Sequence, residues 1–373
     1  MAERLVLHIG TMKTGTSFVQ SVLMRSAAAH DAAGFHYVGD FQRQTQAVRR
    51  VLAAPKSPPK QADWRALVEE ARAWPGSTAI VSMEFLSFAR PHQIEAFLAP
   101  LDGLEVQVVA TVRDQAAAIP AQWQSYCRLF GTDSWPAYLA RIDPARQQPG
   151  DADTRAATAF NRAQDVVAIL ERWGGVVGAI DVVTVPRPGA PRDELWKRFT
   201  AAIGMPWDLA DLEDHFPNVS LGFASADVLR RLNRHLQGHP AHIYRPGLRP
   251  LVRDAFFPRR DAEGRPALDQ GGIAFAARRN QAIRDAMAGH RVTGSVDDLP
   301  VPTPPPAAPE VAAGPPKKQV KGAADALWHR CAVEFDIVKK PPMRLEKTLR
   351  QIADMLPRTH GWQEALEERG LHR

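Results

Sequence analysis

Eight residues near the start of the chain, Gly10-Thr11-Met12-Lys13-Thr14-Gly15-Thr16-Ser17, have types and a spacing suited to holding a phosphate. The frame is close to that of a nucleoside-triphosphate loop: glycine, four residues, glycine, then two positions that carry Lys and Ser/Thr. Here Thr16 follows the second glycine, the lysine stands inside the loop at position 13, and Ser17 keeps the hydroxyl position. Successive N–H groups of residues 14 to 17 in such a turn point inward at the positive end of a helix dipole, so the loop can wrap an anion. It lacks a lysine placed for β- and γ-phosphates, which suits a donor with one phosphate to hold and a lysine beside the group attached to it. The alternative is an ordinary strand-to-helix turn with a solvated lysine. A second chemical feature is Glu84, which ends the apolar run TAIVSM (78–83). In open α/β sheets ligands gather at the carboxyl ends of strands. A carboxylate there is a candidate general base, a metal ligand, or simply an acid favoured by a helix dipole.

The elements that must position these groups follow from periodicity. Arg4 to Ile9 (RLVLHI) is a β-rich run ending in the Gly/Thr turn, and Phe18 to Met24 has a helical spacing of apolar residues. The alternation continues through a helix at 63–73, a strand at 78–83, a helix at 91–98, a strand over 105–112 (EVQVVATV), helices at 116–130 and 156–173, a strand over 181–185 and a helix at 193–203. Strands separated by helices predict an α/β fold with a central parallel sheet in three layers, α/β/α. From Ser225, read as the N-cap of a helix over 226–236, the pattern is helical with no further strand, and 272–288 is another amphipathic stretch. Eight of the seventeen residues from Pro300 to Pro316 are proline, which reads as an extended linker. The expected organisation is a domain over 1–298, a proline-rich linker over 299–318 and a helical C-terminal segment over 319–373. A chain ending at Pro300 is expected to fold.

The run Lys13-Thr14-Gly15-Thr16-Ser17, in its context LHIGTMKTGTSFVQ, resembles the loop of sulfotransferases that use 3'-phosphoadenosine 5'-phosphosulfate (PAPS), in particular a bacterial branch of that family. The resemblance covers roughly residues 4 to 236 and includes FNRAQDVVAILERW (160–173) and VTVPRPGAPRDELWKRF (183–199). It implies a P-loop-like sulfotransferase fold and transfer of a sulfuryl group from PAPS to a hydroxyl or amine of a small-molecule, lipid or carbohydrate acceptor. Lys13, Thr14, Gly15, Thr16 and Ser17 would hold the 5'-phosphosulfate, and Lys13 would also stabilise charge growing on the bridging oxygen. Glu84 would take the acceptor proton, in a place where family members carry histidine or glutamate. Arg113, closing EVQVVATV, would grip the 3'-phosphate. The family's serine eight residues on is replaced by Ala121, and Ser125, one helical turn later, is the candidate substitute within RDQAAAIPAQWQSYCR. No metal is expected, because the donor carries less charge than a triphosphate.

Other classes are compared on the same residues. A Mg-ATP-dependent P-loop kinase or nucleotidase would need the missing loop lysine. A non-catalytic PAP- or PAPS-binding module would account for Ala121. His8 reads as a satisfied core residue, His36 as a pocket or solvated histidine and the second choice for the base, and His215 and His235 carry no motif. The run 218–222 (NVSLG) is either a donor contact or a capping turn. The 373 residues include 47 Lys+Arg against 41 Asp+Glu, a net +6 that suits an anionic ligand and falls short of a nucleic-acid coat. Two cysteines, Cys127 and Cys331, rule out a disulfide framework and fit a cytoplasmic protein, as does the lack of a leader-like or membrane-spanning apolar run.

Overall fold

A computed structural model describes residues 2–53, 61–212, 220–239, 241–302, 314–337 and 340–367. Six strands form one sheet: β1 (Arg4–His8), β2 (Phe35–Tyr37), β3 (Thr78–Ser82), β4 (Glu105–Val112), β5 (Asp181–Thr184) and β6 (Arg291–Thr293). Their order is β2-β3-β1-β4-β5-β6 and every pairing is parallel. The chain is therefore α/β, with the crossovers that parallel pairing demands supplied mostly by helices.

Alternation along the strands sends side chains to two apolar clusters. Leu5, Leu7, Val81 and Ala110 join one cluster with Trp64, Phe97 and Trp173 from the helices Ala62–Ala73, Pro91–Leu98 and Val166–Val177. Val6, Ile80, Val109 and Val183 join the other with Val19, Val22, Trp196 and Phe199 from Thr16–Arg25 and Glu194–Ile203. Both faces of the sheet are thus covered, which is why its strands read as near-continuous apolar runs.

The chain divides into two compact units. The first takes residues 1–118, 160–218 and 273–306 and holds the whole sheet; the second takes 119–159, 219–272 and 307–373. In the second unit the helix Phe223–His235 is buried along most of its length and packs on Lys317–Glu334 and Leu345–Met355, while Ala241–Phe256 packs on Lys317–Glu334 and His360–Glu367. Leu327, Cys331, Leu349 and Ile352 are fully buried there.

Four expectations change. Strands β2 and β6 exist although neither was read from the sequence, and β6 lies beyond Ser225, where only helices were expected. The helix expected over 156–173 is two, Arg155–Gln164 and Val166–Val177, because Asp165 turns out of the first and caps the second by accepting the Ala168 N–H at 3.3 Å. Ser225 lies inside its helix: Gly222 is the N-cap, and Glu263 Oε2 accepts the Ser225 N–H at 2.7 Å. The start of the proline-rich stretch is pinned, since Leu299 is fully buried, its carbonyl accepts from Arg284 at 2.7 Å, and the Pro300 carbonyl accepts from Asn280 at 2.9 Å. Residues 303–313 of that stretch, with His215, Asn218 and Val219, lie outside the described residues.

Candidate active site

In the first unit the chain leaves β1 for β2, returns to β3 between them, and then crosses to β4 on the other side of β1. The order of connection reverses at β1, and the crevice at the carboxyl ends of the strands on either side of such a point is where open α/β sheets bind ligands. The segments carrying Lys13, Glu84 and Arg113 leave the sheet at this end, from the neighbouring strands β1, β3 and β4.

The loop begins by extending the ladder. Ile9 donates to the Val109 carbonyl and Thr11 to the Thr111 carbonyl, both at 2.9 Å. It then takes three left-handed residues within six positions: Gly10 (φ +93°), Lys13 (φ +67°) and Gly15 (φ +89°). At Gly10 a Cβ would sit 3.0 Å from the Glu84 Cβ, and at Gly15 it would sit 2.4 Å from Leu195 Cδ2, so neither position has room for a side chain. Lys13 is the unusual member, since left-handed backbone in a non-glycine residue costs on the order of 1–3 kcal/mol and survives only where the surroundings over-determine it. Those surroundings are visible. Arg113 donates to the Lys13 carbonyl at 3.1 Å, and the fully buried Gln164 donates to the Met12 carbonyl at 2.9 Å.

The loop is also held from beneath by a buried polar chain. Ser82 Oγ lies 2.7 Å from His8 Nδ1, and His8 Nε2 lies 3.3 Å from Thr111 Oγ1. Thr111 Oγ1 is in turn 2.5 Å from Thr14 Oγ1, which donates to the Thr11 carbonyl at 2.6 Å. His8 is fully buried against the Phe199 ring, and burial pulls its pKa down to about 3, so it serves this chain as a neutral imidazole. The Thr14 hydroxyl is therefore engaged inward. The backbone donors of the loop remain available: the helix Thr16–Arg25 has Gly15 as N-cap with no side-chain cap, and among the described residues nothing accepts from the N–H groups of residues 14 to 17. Ser17, on the first turn, is exposed.

Glu84 opens a short 3-10 turn directly after β3 and is half-buried. Its Oε2 accepts from Gln20 Nε2 at 3.0 Å, and the same Gln20 nitrogen donates to the Ser82 carbonyl at 2.9 Å. A side chain of the loop's own helix thus fixes the carboxylate beside the loop. His36 is placed otherwise than as a substitute base: it pairs in register with Ala79, five residues before Glu84 and roughly 16 Å down the strand, and it is tied to Asp31 at 2.9 Å and stacked on Trp74. Ser125 and Ala121 belong to the second unit, where Ser125 is buried. His235 bonds Glu346 at 3.1 Å. Leu221, in the run 218–222, gives its carbonyl to Gln124 at 2.6 Å, and Gly222 caps a helix.

Sequence reasoning missed Gln20, Thr111, Gln164 and the supporting role of His8. A signal existed for two of them: His8 and Thr111 are polar residues interrupting apolar strands on the face shared with Val109, where a lone polar side chain must find a partner. No family model, curated protein or solved structure matches this chain.

Proposed function

We propose that the chain is a PAPS-dependent sulfotransferase, built on a three-layer α/β/α domain of P-loop-like type, that moves a sulfuryl group to a hydroxyl or amine of a small-molecule, lipid or carbohydrate acceptor. The observation that carries this reading is Lys13, held in a left-handed conformation inside a loop whose amides at residues 14 to 17 have no acceptor among the described residues, with Arg113 on its carbonyl and Glu84 packed against Gly10. The amides of residues 14 to 17 bind the 5'-phosphate at the start of the helix. The Lys13 ammonium stabilises the charge that grows on the bridging oxygen as its bond to sulfur breaks. Glu84 accepts the acceptor's proton as the new bond to sulfur forms, and PAP (3'-phosphoadenosine 5'-phosphate) leaves. Arg113 braces Lys13 and supplies the guanidinium for the 3'-phosphate.

Calorimetric titration with PAP, 5'-AMP and Mg-ATP, joined to a sulfate-transfer assay, tests this. PAP should bind more tightly than 5'-AMP, and Arg113→Ala should erase that preference. Tight Mg-ATP binding without PAP binding would favour a kinase or nucleotidase, and PAP binding without transfer to any acceptor a binding module. Glu84→Gln keeps the bond from Gln20 by way of its amide oxygen but cannot take a proton, so transfer should fall by about 100-fold or more with PAP affinity unchanged. Near wild-type turnover in that variant would remove Glu84 from the mechanism.

A further inference from the structure

The second unit contains a cavity of about 360 Å³ with no part in the chemistry above. The buried part of its lining, Leu229, Leu248 and Val252, makes an apolar floor, and the exposed or half-buried Arg128, Arg245, Arg249 and Arg253 make its rim. Three of these arginines recur every fourth residue of the helix Ala241–Phe256 in the run RPGLRPLVR, so they lie along one helix face roughly 6 Å apart. Like charges at this spacing repel, and a chain that gathers four of them around an apolar hollow has placed them where an anion would relieve the repulsion.

Local acids leave the charge of Arg128 and Arg249 unanswered among the described residues, and Asp254, which bonds Arg253 at 2.8 Å, also receives Arg330 at 3.2 Å. Arg128 lies over the Phe257 ring, 6.0 Å from its centre. Desolvation, then the neighbouring Arg249 charge, lowers the Arg128 pKa from its ordinary value. Guanidinium groups are weakly hydrated, planar donors matched to phosphate, sulfate and carboxylate, and ligand cavities in this size range are apolar with a few polar groups that fix orientation.

We propose that this cavity binds a single-chain amphipathic anion, its aliphatic or aromatic body on the floor and its phosphate, sulfate or carboxylate head among the four arginines. The site stands independently of the nucleotide reading, because every lining residue named belongs to the second unit. The head could be carried by a soluble amphiphile or by a lipid in a bilayer, and the test separates the two.

The full chain is titrated calorimetrically with decyl phosphate below its micelle concentration, with inorganic phosphate and with decanol. Decyl phosphate should bind once per chain and at least about tenfold more tightly than either fragment, since only it engages both floor and rim. The double variant Arg128→Gln/Arg249→Gln should lose at least about tenfold of that affinity, while Arg65→Gln, an exposed arginine of the first unit, should lose none. Circular dichroism establishes that the double variant is folded, and the single variants replace it if it is not. Sedimentation with phosphatidylcholine vesicles containing phosphatidic acid assigns the head to a bilayer lipid if the chain binds them in an Arg249-dependent way, and to a soluble ligand if only decyl phosphate binds. Inorganic phosphate binding as tightly as decyl phosphate, multiple non-saturating uptake, or full affinity in the double variant would overturn the proposal.

Discussion

Lys13 unites two properties that substitutions can separate, a strained backbone and a charge. Lys13→Gly accepts φ near +67° without penalty, so it should keep or raise thermal stability, by up to about 1 kcal/mol, while abolishing the charge. Lys13→Ala removes the same charge but keeps the strain. Both should cut turnover by more than they weaken PAP binding, on the order of 2.7–4 kcal/mol in the barrier, as for the loss of one preorganised donor. Parallel melting curves and single-turnover rates check this, and equal losses of binding and turnover would mean that Lys13 only holds the nucleotide. His8 makes a different prediction. It stays neutral in the folded chain down to about pH 3, whereas in the unfolded chain it takes a proton near pH 6.5, so stability falls as pH drops through that window. Its share is about 1.4 kcal/mol per pH unit, and as much as about 5 kcal/mol over the whole window. His8→Gln, which can still bond Ser82 and Thr111, should flatten the acid limb of a urea-midpoint series taken from pH 7 to pH 4. Identical slopes in both proteins would show that His8 titrates in the folded state. Of these residues the lysine was legible from the sequence because a strand, a glycine turn and a helix frame it. Gln20 and Gln164 were not, since a glutamine in a helix looks the same whether it faces solvent or a loop carbonyl.

Elements that repeat their period between clear turn signals were legible, whereas the helices Phe41–Ala53, Trp135–Ile142 and Ala241–Phe256 and the two three-residue strands were not. EVQVVATV and PHQIEAFL were placed with the boundaries seen in the fold, because each repeats its period several times. β2 (FHY) and β6 (RVT) span three residues each, too few to show a period of two, and exist because β3 and β5 offer them an edge. The helix Phe223–His235 shows another limit. Serine is a common N-cap, so Ser225 was read as one, but a carboxylate from 38 residues further on supplies the capping acceptor. Glu263 lies so close to Gly222 that a Cβ there would meet its Oε2 at 2.4 Å and its Cβ at 2.5 Å. Gly222→Ala should therefore displace the cap and destabilise the second unit by about 1–3 kcal/mol, read as a lower urea midpoint. Glu263→Ala should make room for the methyl group, so Gly222→Ala should cost less in that background than alone. Additive losses would show that the two side chains do not compete.

Composition alone treats the proline-rich stretch as a border beyond which the chain is dispensable, and the packing of the whole molecule gives the opposite expectation. Proline content reports on the backbone of its own segment and carries no information about what the next helices bury. Beyond it, Leu327, Leu349, Ile352 and Leu356 are fully buried, in helices that pack on Phe223–His235 and Ala241–Phe256 within one unit. At about 1.5–3 kcal/mol for each fully buried aliphatic side chain, these four contribute roughly 6–12 kcal/mol. That is comparable with the whole stability of an ordinary domain, about 5–15 kcal/mol. Ending the chain at Pro316 should therefore leave the second unit unable to fold, with its apolar helix faces exposed, and the product should be insoluble or lose the helical signal of that unit. Among the described residues, the sheet of the first unit takes no strand from beyond residue 293. If the shortened chain stays in solution, it should retain the β1–helix loop with Lys13 and a reduced circular dichroism signal. A soluble product with the helical content of residues 119–159 and 219–272 intact would show that the second unit's core closes without the C-terminal helices, and would restore the expectation that the chain folds without them.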